Sequence, residues 1–534
     1  MRRGTRGVGE SRDWGIGLAV RSRAPVRGRA ILRTLALYAC CACASVRLSF
    51  AQCPDGTPAP CARAVRAAAP AANSVAVLTF ENTSRDTSAE YLTEGLADQI
   101  ATRLGGVARL TVISRSSVRR LRDPDQLSIQ QIGRTLNTAF LVSGSIRAAG
   151  GRVRVNVEAV RVATGEAVWS EAFDRPAGDL IGIEEAVATA VASGVAGRLS
   201  PEEQRVLGSR VTADSRAYEQ YLRGNVLLAR RSGAALRLAI AAYEEATTAD
   251  PGFADAYGRL AYAYALCDFW NCRDPGDSLR LLARHASTRA LELNPRSSDA
   301  WMGRAYELYI FNPGIAPAGD DTVLAALAAF RRAVDLNGRN DEAWHQYGST
   351  LRLVSDSASI EALHRALALD PNRAITYQDL SVTYYTMGRG DLALAAIDSA
   401  IALDPDGPFR GIRALYRLAL GDTAGALADA RLSPHALYAP AVLGALAHDT
   451  VGARAMEATV NQRACGSSAW MMTGYWLLMT GRRDQVVQQL LRCGPSLQAR
   501  WVLRLPFFAP MYEDPRIRAL RAETERILAG ARWQ

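Results

Sequence analysis

The side chains able to make or break bonds are few in this chain, and they are scattered. Nine cysteines and five histidines are spread over 534 residues, and all 63 basic residues are arginine. Without lysine there is no phosphate-gripping P-loop lysine, no kinase strand lysine and no Schiff-base lysine. The histidines are His285, His345, His364, His435 and His448. Each falls in or beside a predicted repeat helix, where it reads as a helix residue and not as a base. No Gly-x-Ser-x-Gly, His-Glu-x-x-His or paired Cys/His signature occurs. The expectation is no catalytic residue, no cofactor and no metal, so the chain is read as not an enzyme.

Three cysteines, Cys40, Cys41 and Cys43, lie in an N-terminal leader. The other six form an even set, which fits an oxidising compartment. Their spacing suggests the local pairs Cys53–Cys61, Cys267–Cys272 and Cys465–Cys493, with free buried thiols as the alternative. Cys465 opens a predicted helix and Cys493 closes the next, so an antiparallel hairpin would bring them together.

The formal net charge of +10 is concentrated in that leader. Residues 1–51 hold ten arginines against Glu10 and Asp13, which accounts for +8 and leaves about +2 for the rest. Bulk charge therefore gives no nucleic-acid footprint. Arg27, Arg29 and Arg33 precede the apolar run Leu35 to Val46, and Ser49-Phe-Ala51 supplies small residues before a cut at Gln52. These features read as a signal peptide over 1–51. The run is too short for a spanning helix, which needs about 20 residues. Leu37-Tyr-Ala-Cys40 also resembles a lipobox, and an uncleaved anchor is a third option. The expected location is the periplasm or cell envelope, with membrane contact only through a lipid or a retained leader.

Beyond the leader, residues 52–73 are rich in Ala, Pro and Arg and read as a linker. Strand-type runs at Ser74–Phe80 and Leu110–Ile113 alternate with helical spacing over Ser88–Leu104 and Leu127–Leu136. Three closely spaced strands follow, Ala139–Ala148, Arg152–Arg161 and Glu166–Asp174, with Gly150-Gly151 and Gly165 at the turns. A helix from Leu180 to about Leu199 closes an α/β domain over 74–200. Several segments in it, in order, resemble the TolB-like domain also seen in FlgO-like proteins. They are Val75-Ala-Val-Leu-Thr-Phe-Glu-Asn82, Tyr91-Leu-Thr-Glu-Gly-Leu-Ala-Asp98, Val112-Ile-Ser-Arg-Ser-Ser-Val118, Gly144-Ser-Ile-Arg147 and Ala163-Thr-Gly-Glu-Ala-Val-Trp169. The resemblance implies a mixed sheet with helices and a binding or assembly module, and it carries over no catalytic residue. Relatives of this kind often place a kinase, cyclase or winged-helix domain ahead of the module; none fits before residue 74.

Residues 201–510 carry a repeat. Asp250-Pro251, Asn294-Pro295, Asn337-Gly338, Asp370-Pro371 and Asp404-Pro405 recur at spacings of 44, 43, 33 and 34. A 34-residue period with a closing proline is the tetratricopeptide (TPR) signature. The residue five before each Pro or Gly is alanine: Ala246, Ala290, Ala333, Ala366 and Ala400. Six beyond four of them stands a large aromatic: Tyr257, Trp301, Trp344 and Tyr377. The two long spacings hold insertions around Cys267–Cys272 and from Phe311 to Gly319. An all-α TPR superhelical solenoid is expected over 201–510, closed by a capping helix at 511–534.

Such solenoids bind partners on the concave face of their first helices. By offset that face holds Asp255, Tyr262, Asp299, Met302, Tyr306, Tyr309, Glu342, His345, Arg352, Gln378 and Tyr385, a mixture suited to a polar peptide with aromatic anchors. Arg115, Arg119, Arg120 and Arg122 form a basic cluster that reads as solvated or as facing an acidic partner. Glu81 and Asp86 flank a strand-end loop of the kind that hosts ligands. The function expected is an exported scaffold, its TPR face taking a protein or peptide and its TolB-like domain an envelope protein or second copy. The alternatives are an envelope sensor whose α/β domain binds a small molecule, and a lipid-anchored envelope assembly factor.

Overall fold

The computed structural model describes residues 70–531 apart from 85–89, 122–123, 231, 270–271, 273–276, 311–316, 434–437, 448 and 460–467. The segment 1–51 expected to be a signal peptide, Cys53, Cys61, Cys465, most of the expected linker and the start of the second insertion lie outside the described residues. Residues 69–534 belong to one compact unit.

The chain enters through β1 (Ser74–Val77), β2 (Glu81–Asn82), α1 (Glu90–Gly105), β3 (Thr111–Val112), α2 (Arg115–Arg119) and α3 (Ile129–Leu136). It continues through β4 (Phe140–Ala149), β5 (Arg152–Arg161), β6 (Ala167–Pro176) and α4 (Leu180–Ala196). The strands form one mixed sheet in the order β3-β1-β4-β5-β6, with β2 added beside β4. β1 runs parallel to β3 and β4, whereas β4, β5 and β6 form an antiparallel meander. The alternation in β5 fixes its register: Val153, Val155, Val157 and Ala159 are buried while the residues between them are exposed. Gly150 and Gly151 both take positive φ at the β4–β5 turn, a conformation that only glycine adopts without strain. Ala76 and Leu141, from β1 and β4, also pack on Val118, Ile132 and Leu136 of α2 and α3. Opposite them, α1 and α4 build the main core.

The solenoid follows α5 (Pro201–Leu207). Its hairpins are α6 (Ser215–Ala229) with α7 (Gly233–Ala249), α8 (Ala254–Phe269) with α9 (Asp277–Leu293), and α10 (Ser298–Ile310) with α11 (Pro317–Leu336). Next come α12 (Asp341–Leu351) with α13 (Asp356–Leu369), α14 (Ala374–Thr386) with α15 (Gly390–Leu403), and α16 (Phe409–Ala419) with α17 (Thr423–Leu432). α18 (Ala439–Leu446) with α19 (Thr450–Thr459) and α20 (Ser468–Met479) with α21 (Arg483–Cys493) complete the series. The five repeat alanines, 246, 290, 333, 366 and 400, are all fully buried, because the helix crossing leaves room for a methyl group and no more. The repeat aromatics are half-buried, and Trp301 and Trp344 donate from Nε1 to the carbonyls of Pro295 and Gly338 at 2.8 and 2.9 Å. They thereby tie each first helix to the turn before it.

Two elements differ from the sequence expectation. The capping segment begins earlier, with α22 (Leu497–Leu503) and a 3₁₀ turn at Pro506–Met511, before α23 (Pro515–Gly530). The α/β domain is also not a separate body: one continuous core runs from Val75 through the first repeats to Ala343. In the first insertion Cys267 and Cys272 are bonded, with Cα atoms 5.0 Å apart, and Arg237 donates to the Cys272 carbonyl at 2.9 Å.

α8 and α10 cross closely. A Cβ placed on Gly258 would lie 2.6 Å from the Asp299 carbonyl carbon, so the two backbones touch there. Gly258→Ala should therefore cost about 1–3 kcal/mol of unfolding free energy in urea titration. Gly530→Ala, with nothing within 4 Å of the added methyl, should be neutral or mildly stabilising.

Candidate functional site

The candidate partner-binding residues lie on or beside α8, α10, α12 and α14, whose side chains reach across to the following repeat. Arg259 donates to Asp299 at 3.0 Å, and Ser297 donates to Asp255 at 2.5 Å. Burial, with Asp299 alongside, pushes the Asp255 carboxyl up to about 6. The Tyr262 and Tyr306 rings lie 4.3 Å apart, and the Tyr306 hydroxyl donates to Glu342 at 2.8 Å. Arg373 donates to Asp341 at 2.8 Å and also to Glu342. The His345 ring nitrogen Nδ1 lies 3.1 Å from the Thr376 hydroxyl, and Arg352 donates to Asp379 at 2.9 Å. Tyr385 stacks on Tyr416 at 4.5 Å.

These contacts place the candidate partner-binding residues at different depths. Tyr262, Met302, Tyr306, His345 and Tyr385 are buried, while Asp255, Asp299, Tyr309, Glu342, Arg352 and Gln378 are half-buried. A residue that faces inward in one repeat meets its counterpart about 30 to 40 positions along, and the pair excludes water. Charge matching between neighbouring repeats, such as Arg259 with Asp299, was the available sequence signal. No such signal marked the C-terminal segment, which folds back on α11, the end of α12 and α13. Trp501 lies beneath the Arg352 guanidinium at 5.0 Å, Arg504 pairs with Asp356, and the Leu497 amide donates to Asp320 at 2.9 Å.

A second cluster joins the α/β domain to the solenoid. Arg103 of α1 donates to Glu184 of α4 at 3.3 Å and to the carbonyls of Leu207 and Ser209 at 2.7 and 2.8 Å. The Tyr218 hydroxyl of α6 donates to the same Glu184 carboxylate. Glu184 is fully buried, and burial pushes its carboxyl up to about 7 against the pull of Tyr218 and Arg103. Tyr91 donates to Glu219 at 2.6 Å. Farther along, Arg339 donates to the Leu110 carbonyl at 2.6 Å, and Ser117 donates to buried Asp370 at 3.0 Å, with Ser116 on the same carboxylate. Two of the repeat-punctuating turns thus dock on the domain.

The other sequence candidates fall apart spatially. Arg115 and Arg119 of the basic cluster clamp Asp98 on α1, and Arg120 is exposed. Arg122 and Asp86 lie outside the described residues; Glu81 is exposed. His285 and His364 are exposed on second helices, and His435 and His448 lie outside the described residues. Cys493 is disulfide-bonded, and the Cys465 expected as its partner lies outside the described residues. Among the described residues no group of three or more His, Cys, Asp and Glu could hold a metal ion, and no helix is long and apolar enough to cross a membrane.

A family model described as the second domain of HilA/YgeH-like transcriptional regulators matches residues 71–187, the region of the TolB-like resemblance. A protein named "Putative adenylate cyclase 3" from Rhizobium meliloti (strain 1021) is 30% identical over 218 residues, 40% of this chain. The match spans 36% of that relative's own length. A thermophilic TPR protein of Thermus thermophilus is 21% identical with a TM-score of 0.30, covering 35% of this chain and 92% of its own. Yeast Tom70 is 14% identical with a TM-score of 0.33, covering 65% and 82%. The solenoid assignment rests on the hairpin order and the buried repeat alanines.

The Glu184 cluster makes the junction pH-sensitive. An acid whose folded pKa lies at about 7, above its ordinary 4.5, keeps its proton longer in the folded state. Stability must therefore fall as pH rises from about 4.5 to about 7. Between pH 5 and pH 8 the wild-type protein should lose on the order of 2 kcal/mol more unfolding free energy than Glu184→Gln. Equal pH dependence in the two proteins would contradict the buried-acid assignment.

Proposed function

We propose that the chain is an exported, non-enzymatic scaffold: a TolB-like α/β module fused to a TPR solenoid that takes a protein or peptide partner. The observation that carries this reading is the core shared by the sheet, α1, α4 and the first repeats. It gives two binding modules one fixed geometry. The inner-face acids, arginines and His345 act as stitches between repeats, which is a structural use of groups that could otherwise serve as acids and bases. Half-buried Tyr309 and Gln378 lie along the same helices, Tyr309 packed against both cores and hydrogen-bonded with Arg352, and we read them as the positions that meet a ligand. The cyclase-named relative lends no activity to this reading, because only 36% of its length is matched.

The match to a regulator's second domain favours a second reading, an envelope sensor whose α/β module binds a small molecule. Saturable thermal stabilisation of the full chain by a small molecule would select it. Lipid anchoring at Cys40 is a variant of the first reading.

The scaffold reading is tested by affinity capture from envelope fractions. The wild-type chain should enrich a specific protein, and Tyr309→Ala with Gln378→Ala should weaken that capture about tenfold at a temperature well below the double variant's own melting point, which falls because Tyr309 packs on both cores. No specific enrichment, or capture indifferent to the double variant, would sink it.

A further inference from the structure

The strand β6 forms the free edge of the sheet. Among the described residues it pairs with β5 alone, runs for ten residues and is exposed over most of its length. Long exposed edges invite another strand unless something blunts them. The solenoid's turns dock near Leu110 and Ser117, beside β3 at the opposite edge, and Ser215 of α6 lies beside Gly178, just past the end of β6.

The register shows which backbone groups face outward. The Ala177 amide donates to the Gly151 carbonyl at 2.8 Å, so Gly151 and Ala177 are a hydrogen-bonded pair. Such pairs alternate along an antiparallel ladder. With Arg175 opposite Val153, Phe173 opposite Val155 and Glu171 opposite Val157, the odd-numbered residues spend their backbone groups on β5. Ser170, Ala172, Asp174 and Pro176 direct theirs outward. Pro176 has no N–H to offer, as suits an edge position.

The side chains add a charge pattern. Glu171, Phe173 and Arg175 share one side of the strand. Glu171 and Arg175 are both exposed, and neither has a partner among the described residues.

We propose that β6 pairs antiparallel with β6 of a second copy of this chain, about a two-fold axis through Phe173. That register sets Ala172 opposite Asp174, so outward amides meet outward carbonyls. It also sets Glu171 opposite Arg175 twice, in non-hydrogen-bonded pairs, where facing side chains lie closest. Phe173 meets its own copy at the axis. Neighbouring registers lose the match: centring on Glu171 or Asp174 puts like charges face to face, and centring on Ala172 puts Glu171 against Phe173. Arg152 donates to the Asp174 carbonyl at 3.1 Å, and the second lone pair of that oxygen is open to the incoming amide. The contact is small, so the dimer should be weak, with a Kd in roughly the micromolar range. It does not depend on how the solenoid's partner is read.

Sedimentation velocity of the full chain over a range of micromolar concentrations tests the pairing. The wild type should pass from monomer to dimer. Glu171→Arg and Arg175→Glu should each weaken the dimer about tenfold or more, with wild-type melting temperatures because both side chains are exposed and unpaired. Mixing the two single variants recreates opposite charges at both facing positions and should restore dimers at near wild-type strength. A wild type that stays monomeric, single variants that dimerise as well as wild type, or a mixture that does not recover would each overturn the proposal.

Discussion

The burial of α1 and α4 between the sheet and α6 is the constraint on which the rest of the structure depends. α4 is apolar around much of its circumference, as a helix covered on two sides must be. On α1, Leu96, Ile100 and Leu104 are fully buried, and Gly95 lets Leu222 of α6 approach to 3.5 Å of where a Cβ would stand. Tyr218, Leu222 and Tyr221 of α6 are buried in the same core. Each large side chain exposed by separating the modules would cost about 1.5–3 kcal/mol, so they hold one geometry. Glu184 lies inside this layer and is held from both sides, by Arg103 of the domain and Tyr218 of the solenoid.

From that fixed start the superhelix propagates by pairs that each span one repeat. Asp299 receives Arg259, Glu342 receives Tyr306 and Arg373, and Asp379 receives Arg352. Charged groups taken out of water need such partners. The turns at Arg339 and Asp370 dock back onto the α/β domain. Exposed backbone remains along the edge strand β6, at the far side of the sheet from the docked turns.

What the sequence made legible was local. Asp-Pro punctuation, the alanine five residues before it and the aromatic six after it are short-range patterns, and each reports a contact within one hairpin. The alternation in β5 and the Gly150-Gly151 turn were legible for the same reason. Contacts between distant residues were not. Nothing near Glu184 marks it as buried, since its neighbours Ile183 and Glu185 would suit a surface helix equally well. α2 was hidden because its five residues are too few to show a period, and it is held by Asp98 and Asp370 from elsewhere in the chain. The candidate binding face failed at its most aromatic positions for a related reason. The offset that points a residue inward does not say whether the next repeat, or Trp501 from the returning C-terminus, has already covered it.

The α/β module and the first repeats form one cooperative body, and native-state hydrogen exchange on wild type and Leu222→Ala tests this most directly. Leu222 is a fully buried solenoid residue that touches α1. Amides in β4 and β5 and in α6 and α7 should lose protection together, by the same increment on the order of 2–4 kcal/mol. Loss confined to the solenoid helices, with β4 and β5 unchanged, would contradict a single cooperative body.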